Sequence, residues 1–241
     1  MKDVVLSAEE SAAIADWSEA SRQRAEKVLS QYPEKRSAVM PLLYLSMIEN
    51  GYVTNEGMRQ VGVLTGLSSA QVQAVASFYT MYKREPVGDY LLGVCTSISC
   101  FLLGADDVLA AVEDETGVPD GETGGDGVFS VEHVECNGAC GGAPVVLVNW
   151  EMIESVTPEK ARELVRWLRH GRPEVVNTEE MQQLFGGARS FDWGIKEAEG
   201  AVLPVPAFGP YGSSAGDVPS PNSPGELEGT QTFPRGSRGR P

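Results

Sequence analysis

The chain has 241 residues, 41% of them hydrophobic, enough for one substantial core or two modest ones, and a formal net charge of -15. The acidity is local: from Glu85 to Glu159 there is no Lys or Arg but fifteen Asp and Glu, whereas residues 201–241 balance Asp217, Glu226 and Glu228 against Arg235, Arg238 and Arg240. Such an anionic stretch repels nucleic acid and anionic lipid and suits a basic protein partner, and no apolar run reaches membrane-spanning length, so neither nucleic-acid binding nor direct membrane insertion is expected.

The opening MKDVVLSAEESAAIADWSEA has no apolar core between a basic end and a small-residue cleavage site, so it reads as neither a secretory signal nor a transit peptide. The expected compartment is the cytoplasm, where thiols stay reduced and two disulfides are the less favoured use of four cysteines.

In chain order, Ser7-Ala-Glu-Glu10 reads as a capping box opening one long amphipathic helix, and SAVMPLLYLSMIENG as a second helix stopped at Asn50-Gly51. Thr54 starts a third helix. Ser68-Ser-Ala-Gln71 caps a fourth, running through AQVQAVASFYTMY until Pro86 blocks continuation. Residues 1–84 are thus expected to form a helical bundle. Of the aromatic group at its end, Phe78, Tyr79, Met81 and Tyr82, most should pack inward and one or two should meet a partner.

After Gly88 the pattern changes. DYLLGVCT reads as a strand, FLLGADDVLAAVEDETG as a helix, GVFSVEHVEC and APVVLVN as strands, and EMIESV as a further partner strand. Thr157-Pro158-Glu159 opens a last helix, PEKARELVRWLRHG, whose Arg166, Arg169 and Arg172 lie toward its carbonyl end. The order β-α-β-β-β-α predicts an α/β domain over 85–172 with mixed strands and a helix on each side. Beyond it, 173–241 is expected to be an irregular Pro/Gly/Ser-rich extension in which TEEMQQLF forms one or two helical turns; Pro, Gly and Ser make up twenty of the last forty-one residues.

The cysteines form two pairs, Cys95-x4-Cys100 and Cys136-x3-Cys140, each where a predicted strand gives way to a loop. Paired thiolates on a loop can reach one metal, and glycines let backbone amides approach sulfur. Two such pairs at neighbouring strand ends make a four-thiolate cage, which suits an iron-sulfur cluster. Zinc and redox dithiols more often use C-x2-C, but zinc remains an alternative by spacing. The two histidines, His133 and His170, read as surface residues, so a Rieske centre is not favoured. Spacing alone does not separate [2Fe-2S] from [4Fe-4S].

The runs FYTMYKREPVGDYLLGVCTSISC and CNGACGGAPVVLVNWEMIESVTPEKARELVRWL, with VMPLLYLSMIENGYVT before them, resemble the thioredoxin-like [2Fe-2S] subunit of the NADH-oxidising module of NADH:quinone oxidoreductase, respiratory complex I. The resemblance covers about residues 15–170. It implies a thioredoxin-like ferredoxin domain with one [2Fe-2S] cluster, Cys95 and Cys100 on one iron and Cys136 and Cys140 on the other. It also implies a partner subunit holding FMN and the NADH site, a further iron-sulfur subunit, and a place in the peripheral arm on the cytoplasmic face of a membrane-bound complex. Related subunits of NAD-linked hydrogenases and formate dehydrogenases are the near alternative. Asn137 departs from the family's frequent aliphatic residue, and the long tail lies outside its pattern.

The acidic surround predicts a low reduction potential, opposed by amides of Gly138 and the Gly141-Gly142 turn. No substrate site is expected in this chain: GETGGDG carries acids that repel phosphate, and Asp106-Asp107 reads as helix-start charge. VTNEGMRQVGVLTGLSSAQVQAVASFYT also has the form of a helix-turn-helix, but its would-be recognition helix contains no Lys or Arg, which removes the phosphate contacts DNA binding needs.

Overall fold

A computed structural model describes residues 6–173, 175–190 and 207–208. The chain divides between Pro86 and Val87, two residues beyond the expected boundary.

The first unit is helical. Its elements are α1 (Ala8–Ala13), α2 (Glu19–Gln31), α3 (Val39–Asn50) after a short 3-10 turn, α4 (Asn55–Thr65) and α5 (Ser69–Phe78). The Ser7–Glu10 box is formed, but the single long helix expected behind it is two helices. Helical geometry ends at Ile14, and Ser18 starts α2 by accepting from the Ser21 N–H. The break is pinned to the core by Trp17, whose indole N–H donates to Gln60 at 2.8 Å, while the Gln60 amide donates to Asp16 at 2.8 Å. Thr54 and Ser68 cap α4 and α5, and Gly51 and Gly66 close α3 and α4 with left-handed backbone.

Helix α5 stops at Phe78 instead of running on through Tyr82, because Tyr79 is extended and Tyr82 turns into the core. Helices α4 and α5 are bent by 114° at the connection between them. Among the described residues, no single helix is long and apolar enough to cross a membrane.

The second unit holds β1 (Tyr90–Cys95), α6 (Ile98–Leu102), α7 (Ala105–Thr116), β2 (Phe129–Val134), β3 (Val145–Val148), β4 (Glu151–Glu154) and α8 (Pro158–Gly171). The sheet order is β2-β1-β3-β4, with β1 parallel to β2 and the other pairs antiparallel, so the expected mixed sheet is present. The expected helix after β1 is interrupted at Gly104, φ +91°, a conformation glycine adopts freely, and is two helices, α6 and α7.

The expectation of a helix on each side of the sheet is corrected, since α7 and α8 lie together over one face. Val108 and Val112 of α7 share one apolar cluster with Leu164 and Leu168 of α8, with Leu92 and Val94 of β1 and with Phe129. The two helices are laced along their length. Arg162 pairs with Asp114, Arg166 with Glu115, and Arg169 donates to the Thr116 carbonyl. Arg169 also reaches Asp126, and Arg172 reaches Asp89. Four carboxylates of the acidic window are therefore answered from the C-terminal end of the domain.

Ordered structure extends past residue 172. Strand β5 (Val175–Val176) pairs antiparallel with β6 (Ala207–Phe208), and α9 (Thr178–Phe185) sends Met181 and Phe185 into the same core. TEEMQQLF is thus a helix capped by Asn177, and residues 175–190 correct the expectation of an irregular extension from 173 onward. Their buried Val176, Met181 and Phe185 were too sparse to stand out from the polar sequence around them. Of residues 191–241 of the expected irregular tail, Ala207–Phe208 alone are among the described residues.

Candidate metal centre

Parallel pairing of β1 and β2 brings their C-terminal ends to one end of the sheet, with Cys95 opposite Val134. The segment after β1 turns into α6 and carries Cys100; the segment after β2 carries Cys136 and then Cys140, which opens a 3-10 turn over Cys140–Gly142. Local sequence sets the spacing within each pair, and the strand pairing sets the two pairs side by side.

All four cysteines are free thiols. Cys136 and Cys140 are exposed, with their sulfurs 3.5 Å apart. Cys95 and Cys100 are buried in one apolar cluster. An apolar wall of Ala105, Ala139 and Val145 encloses this inner pair. Cys140 acts electrostatically on Cys100, and Cys95 acts on Cys140. Among the described residues no three His, Cys, Asp or Glu side chains stand as a cage for a single ion. The sulfurs are two pairs in electrostatic reach of each other at one end of the sheet, a thiolate donor set whose chemistry fits an iron-sulfur cluster.

The four thiols differ in acidity. Burial pushes Cys100 up to about 11, aided by the adjacent Cys95 and opposed by the Val145 backbone N–H that donates to its sulfur. Cys136 is lowered, first by the Gly138 N–H, which donates at 3.4 Å, and then by Cys140. Cys140 is raised by sharing a hydrogen bond with Cys136, against a bond to the Ser99 side chain. Gly138 makes this contact from left-handed backbone, φ +81°. Of the glycine amides expected to face sulfur, that of Gly138 does so, whereas the Gly142 amide is bonded to the Ala139 carbonyl at 3.0 Å.

Neither histidine joins the thiols: His133 is bound to Asp120 and His170 to the Arg166 carbonyl. Sequence reading missed the Ser99 and Val145 contacts, and also Glu154 and Ser190, which lie behind the Gly141-Gly142 turn. The local motif carries no signal for the last two, because they come from distant segments.

Residues 25–169 match the family described as thioredoxin-like [2Fe-2S] ferredoxin. The chain belongs to that family. Among curated relatives of this ferredoxin, the E subunit of the NADH-quinone oxidoreductase of Mycobacterium tuberculosis is 48% identical over 149 residues, covering 62% of this chain and 59% of the relative. Subunit 2 of the NADH-quinone oxidoreductase of Thermus thermophilus is 39% identical over 150 residues, covering 61% of this chain and 83% of the relative. The ferredoxin thus spans less than two thirds of the length of its mycobacterial relatives. Among solved structures, an NAD+-reducing [NiFe]-hydrogenase in the H2-reduced state shares the fold with a TM-score of 0.52 at 15% identity, covering 58% of this chain and 23% of that one.

Proposed function

We propose that the four thiols hold one [2Fe-2S] cluster, Cys95 and Cys100 on one iron and Cys136 and Cys140 on the other. On this reading the protein is the cluster-bearing electron-transfer subunit of an NADH:quinone oxidoreductase. It stands beside a subunit that binds FMN and NADH, with a further iron-sulfur subunit in the same peripheral arm on the cytoplasmic face of the membrane. The observation that carries the reading is the parallel β1–β2 pairing, which brings two cysteine pairs to one sheet end in a protein whose relatives bear that name.

The cluster would supply storage for one electron at a time. The protein's part is electrostatic. The Gly138 and Val145 amides donate to sulfur and favour added negative charge there, while Glu135 beside Cys136 opposes it. Because Asp89, Asp114, Glu115 and Asp126 are ion-paired, the acidic window bears on the site less than its formal count suggests.

Exposed apolar residues on and just after α6, namely Ile98, Phe101, Leu102 and Leu103, sit in sequence around Cys100 and close to the exposed acids Asp106 and Asp107. This face suits a partner with an apolar centre and a Lys/Arg edge. The α4–α5 bend falls in the range of helix-turn-helix units, yet α5 carries no basic residue, so DNA binding gains no support.

The test is an absorption and low-temperature EPR spectrum of the purified protein, oxidised and dithionite-reduced, with iron and sulfide assays. Two irons per molecule, a spin-one-half signal on reduction and loss of the chromophore in Cys136→Ser support the reading. Stoichiometric zinc without visible absorption overturns it.

A further inference from the structure

The turn carrying Cys140 is held from behind by a contact that reaches outside the family-matched span of 25–169. Glu154, the last residue of β4, is buried, and its Oε2 accepts from the Ser190 N–H at 2.7 Å and the Ser190 hydroxyl at 2.6 Å. The same carboxylate lies flush against Gly142: a Cβ there would fall 2.1 Å from Glu154 Oε2, and one on Gly141 would fall 3.2 Å from Ser190 Cα. The Ser155 N–H closes the arrangement on the Gly142 carbonyl at 2.5 Å.

The segment ending in Ser190 is itself fixed to β4. Gln182 Oε1 accepts from the Glu154 N–H at 2.8 Å, and its Nε2 donates to the Glu154 carbonyl at 3.1 Å and the Gly187 carbonyl at 3.0 Å. The Gly187 N–H also donates to the Glu154 carbonyl at 3.0 Å, and Ser155 Oγ donates to Ala188 O at 2.7 Å. A hydrogen-bond network with its centre buried at Glu154, Gln182 and Ser190 rigidifies what it touches, and what it touches is the turn that sets the Cys140 sulfur.

We infer that Glu154 and Ser190 are positioning residues for Cys140, a brace completed by the segment that follows the family core and acting through Gly141 and Gly142. This rests on the proposed cluster for its consequence but not for its geometry. Bracing a ligand through groups one layer behind it governs how tightly the metal is held and the symmetry it experiences.

The experiment uses the full-length protein with Glu154→Ala, Ser190→Ala and the near-isosteric Glu154→Gln. Val148→Ala, in the core of the same sheet, serves as a control for loss of stability alone. Expected for Glu154→Ala are loss of iron to a chelator about tenfold faster than wild type and altered g-values on reduction. Ser190→Ala should change both in the same direction, Glu154→Gln should recover most of the effect, and Val148→Ala should melt earlier with an unchanged spectrum. A second measurement needs no iron. On metal-free protein, phenylarsine oxide bridges the exposed Cys136 and Cys140 thiols, forming two As–S bonds and releasing water, and Glu154→Ala should slow this by about tenfold. A wild-type protein without iron would defeat the cluster reading and leave the arsenical rates to decide the brace. Unchanged arsenical rates in Glu154→Ala and Ser190→Ala would overturn the brace, even if the cluster is present.

Discussion

The hydroxyl of Tyr82 donates to the backbone carbonyl of Met40 at 2.9 Å, and its ring meets Tyr44 edge-on at 5.3 Å. That bond ties the end of the helical unit to the start of α3, which makes Tyr82 a core residue at 3% exposure while Phe78 stands 77% exposed. Tyr82→Phe leaves the carbonyl without its donor and should cost about 1–2 kcal/mol in urea unfolding. Tyr82→Ala, which also removes the ring, should cost about 3–5 kcal/mol. Phe78→Ser should change stability by less than about 0.5 kcal/mol, and it is the variant that reports whether the end of the bundle contributes to subunit association.

Ser46 of α3 is fully buried, and its hydroxyl has no hydrogen-bond partner among the described residues. Gly57 of α4 is packed so closely on it that a Cβ would fall 2.0 Å from the Ser46 oxygen. The cost of an unpaired buried hydroxyl is about 1–3 kcal/mol, whereas the methyl group of alanine fits the same space. Ser46→Ala should therefore raise the thermal midpoint, and Gly57→Ala should lower it by overpacking the crossing. A drop in the midpoint for Ser46→Ala would count against this account of the helix contact.

The sequence reveals what neighbouring residues decide. Ser7 with Glu10, Thr54, Ser68 with Gln71, and Thr157 before Pro158 mark helix starts, because a cap needs only a side-chain oxygen three residues from an open N–H. The cysteine pairs are legible for the same reason. What brings the pairs together is the register of β1 on β2 across the whole of α7, and no local signal encodes it. The two-helix start was hidden because Ser18 has a cap's chemistry inside a run with helical spacing. Glu154 and Ser190 are 36 residues apart and meet only in the folded protein. The arginines of α8 read only as charges toward its carbonyl end, because the acids they pair with lie on α7, so the shared side of the sheet followed from structure alone.

His133 and Asp120 form a pH-sensitive contact on the strand leading to Cys136: the imidazole Nδ1 lies 2.6 Å from one carboxylate oxygen, and the backbone N–H of His133 donates to the other at 2.7 Å. Asp120 raises the pKa of His133 above the ordinary imidazole value. Burial alone would raise Asp120, but the bonds from His133 outweigh it and lower the carboxyl. The sign follows for both partners: the histidine's contribution is complete below the ordinary imidazole pKa and is lost as pH rises through the raised one. The carboxylate's contribution is present above its ordinary range and is lost as pH falls through the lowered value. An NMR titration of the His133 ring should give a midpoint that falls in Asp120→Asn; an unmoved midpoint would show that the pair is not formed in solution.

The α6 face gives the last prediction. Ile98 and Leu102 are 71% and 72% exposed, and a helical spacing of four places them as neighbours on one side of α6. Apolar side chains this open contribute little to folding, so replacing both with Ser should leave stability within about 0.5 kcal/mol. The cluster should be equally insensitive, because Cys100 points into the Cys95, Ala105 and Val145 pocket on the other side. If this face docks the flavin-bearing subunit, each residue enters an apolar socket on binding, and truncating an anchor of that kind costs at least about 1 kcal/mol. The pair together should weaken association by at least tenfold, since about 1.4 kcal/mol is a factor of ten. Co-purification and titration with the partner subunit read the loss directly. Asp106→Lys with Asp107→Lys should slow association and reduce its salt dependence while leaving the apolar contacts in place, because charges at the edge act on encounter more than on dissociation. Undiminished affinity in the Ile98→Ser, Leu102→Ser protein would move the contact to another face of the domain.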